Sequence, residues 1–405
     1  MLNISKEYKY LLACSSGPDS MALFDMLIKE GYKFDVAHVN YHFRKESNNE
    51  QHLLEEYCQR LNIKLYVLDV DEKVESNIEE KAREIRYEYF AKLNKLYGYD
   101  YLLVAHNKDD HLETYLLQKQ RKNLPNFYGI QNISMVNGIK ICRPLLNYYK
   151  DDLLKYCIDN NVPYSLDSSN YEKSFKRNII RHDVLSKYSL EDKDRLCKLI
   201  EEENVTLNSL LNRLNSSDLK SIKFLIKLDD IELAYSLTIL IRKFIPQYEC
   251  SMRFVKEIRK VLLSDKSNVE VKLNDQYYLS KEYNLLFVRP NDFSFDDIVV
   301  DTPRLIDNDL FYFDLEKCGD KKNIKPTDYP LIIRPYRKGD KYKINDYEVP
   351  VNRLFIDWKM PKFYRKIWPV FISGGKVIYI PRYQQDFSLE NDPFFYIKSC
   401  FALKK

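Results

Sequence analysis

The sequence predicts an α/β protein. A doubly wound parallel sheet comes first, followed by a mostly helical middle domain and a small α+β C-terminal domain. Three observations lead there. Short apolar runs alternate with amphipathic helical patterns over about the first hundred residues, as strands and helices do in βαβ units. From ~190 to ~262 the apolar period becomes helical throughout. Near the C-terminus, aromatic and β-branched runs return around turn signals.

The expected strands are Lys9 to Ala13, Phe34 to Val39, Lys64 to Val70 and Tyr101 to Ala105. Between the first two, Leu23, Met26 and Leu27 share a helix face, with Gly31 as a stop. Ser47 with Glu50, and Ser76 with Glu79, read as capping boxes opening two further helices, the second ended by Gly98. Leu196, Leu199, Ile200, Leu207, Leu210, Leu211 and Leu214 form the stripe of the helical region. Val269 to Arg289 reads as short strands with a turn at Asn274-Asp275. Residues 294–329, rich in Asp, Pro and Asn, read as a connector. Val370 to Ile372 and Val377 to Ile380 flank Gly374-Gly375 as a hairpin. The expected organisation is a catalytic domain over 1–190, a helical domain over 191–293, the connector over 294–329 and a basic C-terminal domain over 330–405.

At 405 residues the chain is too long for one ordinary core. It contains no run of eighteen apolar residues, so no membrane span is expected, and Met1 to Tyr10 lacks signal-peptide character, which points to the cytoplasm. None of the 8 cysteines forms a C-x-x-C pair, which argues against structural zinc, an iron–sulfur cluster or a redox dithiol. Net charge is only +4, yet Leu331 to Lys405 carries 15 Lys and Arg against 7 Asp and Glu. A basic module on a slightly acidic body suits a polyanionic partner; a merely solvated lysine-rich surface is the alternative.

Ser15-Ser16-Gly17-Pro18-Asp19-Ser20 follows the first strand and opens a helix. Small residues let backbone N–H groups approach a phosphate at a helix N-terminus, and Pro18 suits the first turn. Asp19 beside phosphates makes charge sense with Mg2+ between them. His106 ends the fourth strand, and Asp110 and Glu113, three apart, share a helix face as ligands for Mg2+ or for an ammonium group. Arg83 and Arg86 share the face of the preceding helix. Solvated acids behind a capping Asp109, and ordinary surface arginines, are the plainer readings.

The phosphate loop resembles the S-G-G-x-D-S loop of the N-type ATP pyrophosphatases, with Ser16 where that pattern has its first Gly. Ala105-His106-Asn107-Lys108-Asp109-Asp110-His111-Leu112-Glu113-Thr114 resembles the A-H-x-x-D-D-x-x-E-T motif of the lysidine synthases, and Ala82 to Phe90 resembles their A-R-x-x-R-Y helix. Val36 to His42 with Arg44 and Glu46-Ser47, Arg143-Pro144-Leu145-Leu146, and Asp167-Ser168-Ser169-Asn170 with Arg177-Asn178 and Arg181-His182 extend the likeness in order. In the last domain, Arg334-Pro335-Tyr336-Arg337-Lys338-Gly339-Asp340 and Leu354 to Pro361 resemble R-x-x-x-G-D and L-F-I-D-x-K-V-P stretches. Lys119 to Pro125 departs from a usually Gly-rich loop.

The resemblance implies a fold and a set of roles. ATP would sit on Ser15, Ser16, Gly17, Pro18, Asp19 and Ser20, and catalysis would use Asp19, Arg86, His106, Asp110 and Glu113. Asp19 and Asp110 would hold Mg2+, although which carboxylate meets lysine and which meets metal stays open. Arg177, Arg181, Arg334, Arg337 and Lys338 would contact tRNA phosphates, the first two together. The implied activity joins free L-lysine to C2 of the wobble cytidine in the CAU anticodon of tRNA(Ile), through an adenylated intermediate, using ATP. A tRNA thiolase of the same group and a tRNA-binding protein with a vestigial nucleotide site are the rival readings. Oligomeric state stays open, with a homodimer as one option.

Overall fold

The computed structural model describes residues 2–42, 47–70, 78–121, 124–165, 179–291, 294–308, 310–318, 324–383 and 394–397. The chain divides into two compact units, Met1–Ser209 and Leu210–Lys405.

The first unit is built on a six-stranded sheet. Its elements are β1 (Tyr10–Ala13), α1 (Pro18–Lys29), β2 (Phe34–Asn40), α2 (Ser47–Arg60), β3 (Leu65–Asp69), α3 (Ile78–Tyr97), β4 (Tyr101–Val104), α4 (Lys108–Arg121), β5 (Ile133–Val136), β6 (Ile139–Cys142) and α5 (Lys150–Asp159). The strand order is β3-β2-β1-β4-β6-β5, parallel except for β5. Period two decides the faces. Tyr10 and Leu12 pack with Met21, Leu23, Phe24 and Leu27 of α1 and Leu153 of α5. Leu11, between them, packs on the opposite face with Tyr87, Phe90 and Leu93 of α3. Each such side chain, fully buried, contributes about 1.5–3 kcal/mol, so both faces are covered, as a parallel sheet requires.

Chain order reverses between β1 and β4, which pair directly with Leu12 opposite Leu103. Ligands bind beyond the carboxyl ends of strands at such a switch point. The loop after β1 and the start of α4 after β4 therefore meet there. The hairpin β5–β6, not anticipated from the sequence, turns on Asn137 and Gly138, both at positive φ (48° and 79°), as a tight hairpin turn demands. Ser76 of the second expected capping box lies outside the described residues.

The helix α6 (Leu190–Asn215) carries the chain from the first unit into the second. There α7 (Asp230–Arg242) and α8 (Met252–Leu263) precede a meander of β7 (Asn268–Lys272), β8 (Tyr277–Glu282) and β9 (Leu285–Pro290). Asp229 caps α7 by accepting from Ile231 N and Glu232 N, both at 2.8 Å. Lys281 of β8 caps the other end of α8, donating to the carbonyls of Val261 and Ser264 at 3.0 and 2.6 Å.

The expected connector over 294–329 is corrected by the structure. It holds β10 (Ile298–Val300), β11 (Leu305–Asp307) and β12 (Phe311–Asp314). β10 pairs with β13 (Leu331–Pro335), and Val300, Ile306, Phe311 and Phe313 share one core with Trp368 and Phe371. Strands of three or four residues are too short to show a period, and the Asp, Asn and Pro between them hide them further. The remaining elements are β14 (Lys341–Ile344), β15 (Tyr347–Pro350), α9 (Val351–Asp357), α10 (Lys362–Ile367), β16 (Pro369–Ser373), β17 (Lys376–Tyr379) and β18 (Phe395–Ile397). β16 and β17 form the expected hairpin around Gly374-Gly375. The larger sheet runs β10-β13-β16-β17-β14-β15. No helix among the described residues is long and apolar enough to cross a membrane.

Candidate active site

A cavity of about 450 Å³ opens at the carboxyl ends of β1, β2 and β4, and its walls include Ser15, Asp19, His38, Arg83, Arg86 and His106. Gly17 and Ser20 also line it, whereas Ser16, Pro18, Asp110 and Glu113 do not. The expected catalytic set therefore divides into a group on the wall and an acidic pair set behind it.

The loop is held from within. Ser20 Oγ donates to the Gly17 carbonyl at 3.0 Å and accepts from Ser15 N at 3.3 Å. Ser16 sits at φ 62°, in the left-handed region. That conformation is why glycine suits the position, since a Cβ there costs roughly 1–2 kcal/mol. Its hydroxyl offsets the strain by donating to the Glu50 carbonyl at 2.8 Å, and its own carbonyl accepts from Ser165 N at 2.8 Å. Ser16 is fully buried and anchors the loop to α2 instead of facing the cavity.

Asn107 joins the two halves of the site. Its Oδ1 accepts from Asp110 N at 2.9 Å while Asp110 Oδ2 accepts from Asn107 N at 3.1 Å, a reciprocal cap on α4. Its Nδ2 donates to Asp19 Oδ2 at 3.1 Å. Asn107, not Asp109, is thus the cap. Asp109 instead accepts from Lys150 N at 2.9 Å and pairs with Lys193 at 2.6 Å. Burial, followed by the nearby Asp110 charge, pushes the Asp19 carboxyl up to about 6. Asp19 Oδ1 is buried with no hydrogen-bond partner among the described residues. Two neighbouring carboxylates, one with an orphaned oxygen, fit a divalent cation of the Mg2+ type, which takes one or two protein carboxylates beside phosphate ligands.

Arg181 meets the acidic helix. It stands on a short π-helical turn, Ile180–Val184. Its guanidinium grips Glu113 with two bonds, Nε to Oε1 at 2.6 Å and Nη2 to Oε2 at 3.1 Å, and reaches Asp110 Oδ1 at 3.5 Å. A fully buried carboxylate such as Glu113 needs a partner of that geometry. Arg181 is therefore held against the acidic pair, with its side chain 24% exposed. Arg177, its expected companion, lies outside the described residues, as do Arg44, Glu46 and 167–170.

On the opposite wall, His38 Nδ1 lies 2.9 Å from the Cys14 carbonyl, which only accepts, so Nδ1 carries the hydrogen. Burial lowers the pKa of His38, keeping the ring neutral. Arg83 stacks on the Tyr87 ring at 4.7 Å. Arg143 is buried behind His106 and donates to it. Asn107 and Arg143 were visible in the sequence only as motif positions without a role; an Asn directly before a helix was the usable signal for the first.

In the second unit, Arg334 is also paired. It forms a two-pronged pair with Asp340 at 2.8 and 2.8 Å, and Asp340 Oδ2 accepts from Arg337 N at 2.7 Å. The stretch from Arg334 to Asp340 is thus a closed turn, with Gly339 at φ 104°. Arg337 pairs with Asp297 at 2.7 Å but stays 61% exposed, and Lys338 is exposed.

A parallel sheet with a small-residue loop after β1 and an acidic helix after β4 defines a PP-loop protein, and residues 1–188 match the family model of the PP-loop domain. The whole chain carries the likeness further. It is 34% identical to a tRNA(Ile)-lysidine synthase of Mycoplasma mycoides subsp. mycoides SC, over 91% of this chain and 95% of that protein. It is 34% identical to one of Mesoplasma florum over 69% and 73%, and 27% identical to one of Staphylococcus aureus over 90% and 90%. The chain belongs to the tRNA(Ile)-lysidine synthase family.

Proposed function

We propose that this chain ligates free L-lysine to C2 of the wobble cytidine in the CAU anticodon of tRNA(Ile), using ATP and releasing AMP and pyrophosphate. The observation that carries the reading is the Asn107 bridge, which ties the phosphate loop at Asp19 to the acidic helix at Asp110 across the sheet's switch point. Family membership supplies the substrate class.

The first step forms a bond from the cytosine C2 oxygen to the α phosphorus and breaks the bond to pyrophosphate. Ser15 and the backbone of Gly17 to Ser20, at the N-terminus of α1, hold the phosphates. Arg86, on the cavity wall, faces the negative charge that develops there. Mg2+, held by Asp19 and Asp110, would neutralise charge on the leaving pyrophosphate. In the second step the ε-amine of lysine attacks C2 and AMP leaves, the amine's proton passing to a carboxylate of the acidic cluster. Of the two acids on α4, Asp110, whose contact with Arg181 is long at 3.5 Å, is the less neutralised. Glu113, gripped twice, holds Arg181 in place. The target base must be splayed out of its loop to reach the cavity, as RNA recognition commonly requires.

In this reading Arg337 and Lys338 contact tRNA phosphates and Arg334 supports their turn. The chain then works in the cytoplasm, where its substrates are. The test is a single-turnover assay with unmodified tRNA(Ile). Pyrophosphate should be released with tRNA and ATP alone, and AMP only once lysine is added. Pyrophosphate release without tRNA would overturn the order of steps, and no release under saturating ATP would overturn the reading.

A further inference from the structure

We infer that Arg143 is a positioning residue that fixes His106 as the neutral tautomer with its hydrogen on Nε2, making His106 a hydrogen-bond donor to a reactant oxygen and not a base. This rests on the reading of the cavity as the adenylation site.

Arg143 follows β6, whose neighbour in the sheet is β4, the strand that His106 follows. Its Nε donates to His106 Nδ1 at 3.1 Å. Its Nη1 donates to the Gln131 carbonyl at 2.8 Å and to Ser134 Oγ at 2.9 Å. These bonds hold the guanidinium plane from the β5 side, so its direction toward the imidazole is set by the sheet edge. Arg143 itself is only 6% exposed.

Chemistry then fixes the proton. A guanidinium has five donors, no acceptor, and does not deprotonate in proteins. The atom facing its N–H must offer a lone pair. Nδ1 of His106 is therefore unprotonated, and the ring's hydrogen is on Nε2. Protonating Nδ1 would set two N–H groups head to head beside a fixed cation. His38, across the same cavity, is the opposite tautomer, with the hydrogen on Nδ1 against the Cys14 carbonyl. The two histidines thus differ in what their Nε2 atoms offer: His106 a donor, His38 a lone pair. The oxygen acceptor that suits His106 is a phosphoryl oxygen, because charge grows on the phosphate as pyrophosphate leaves.

The test is nitrogen NMR of the full-length chain with labelled histidine, the His106 signals being assigned by their loss in His106→Gln. Wild type should show a lone-pair-type Nδ1 and a protonated Nε2 that persist through neutral pH. Arg143→Met should remove that signature and lower kcat for pyrophosphate release by about 10- to 100-fold, the range for losing an outer partner of a site histidine. The KM for ATP should change by less than about threefold, and Arg143→Lys, which keeps a donor, should recover part of both. A wild-type His106 protonated on Nδ1 would overturn the inference without any variant having to fold. So would an Arg143→Met protein that loses turnover with its His106 signature intact. If the signature is as expected but His106→Gln turns over normally, it is the reading of the cavity that fails, and the role of Arg143 in catalysis with it.

Discussion

Asn107 Nδ2 donates to Asp19 Oδ2 at 3.1 Å, so the residue that caps the acidic helix also fixes the carboxylate of the phosphate loop. One side chain sets both halves of the site. Replacing it should cost more in catalysis than a cap costs in stability. Asn107→Ala should lower stability by about 1 kcal/mol, the usual value of an N-cap. Pyrophosphate release should fall by about tenfold or more, because Asp19 loses its positioning bond. Thermal unfolding beside a single-turnover assay separates the two effects; equal, small losses in both would reduce Asn107 to a cap.

Asp19 carries a buried charge at a cost. Its folded pKa of about 6 lies above the ordinary 3.8, so the ionised form destabilises the fold above that pKa, and the penalty disappears as pH falls through 6 toward 4. In EDTA at neutral pH, Asp19→Asn should therefore unfold at a higher temperature than wild type, by about 1–3 kcal/mol in stability. The gain should shrink toward zero near pH 4. Asp19→Ala and Asp19→Asn should both abolish pyrophosphate release while tRNA binding persists. A stability gain that does not depend on pH would contradict the buried-charge account.

Ser16 trades strain for a hydrogen bond. Ser16→Gly removes a left-handed serine and also the bond to the Glu50 carbonyl. The two terms are of similar size, about 1 kcal/mol each. Stability should change by less than about 1 kcal/mol and activity should not fall. A clear loss of turnover with an unchanged melting temperature would mean that the serine does more than hold the loop.

The two arginines of the closed turn should behave differently. Arg334→Ala leaves the Asp340 carboxylate without its ion pair, holding only the Arg337 N bond, and should cost about 3 kcal/mol, the low end for breaking a buried pair. Arg337→Ala with Lys338→Ala should leave the melting temperature nearly unchanged, since the Asp297 pair is exposed. That double variant should bind tRNA more weakly and reduce the salt slope by about 1–2. Binding curves at several salt concentrations decide it; an unchanged slope would remove these residues from the tRNA interface.

The N-terminal sheet was legible because its strands are apolar and its helices periodic: β1 to β4 fall where the alternation places them. The loop and acidic helix were legible because small residues and acids recur at spacings that chemistry explains. What the sequence hid were pairings. Nothing in the order of residues says that Arg181 grips Glu113 or that Arg334 closes on Asp340, because those partners meet only after folding. Both looked like cations available to phosphate. The stretch 294–329 was hidden for another reason: Phe311 and Phe313 alternate correctly, but over four residues. A cut at Leu331 would strip β13 of β10 and expose that shared core, so point variants, not truncation, probe tRNA binding in this unit.

The central claim is the transfer of lysine to cytidine, and mass analysis of nucleosides tests it most directly. Unmodified tRNA(Ile) with a CAU anticodon is incubated with the protein, ATP and lysine, then digested to nucleosides. The account predicts a cytidine-plus-lysine product minus one water, absent when either ATP or lysine is omitted. A sulfur-containing nucleoside, or unmodified cytidine alone under saturating substrates, would contradict it.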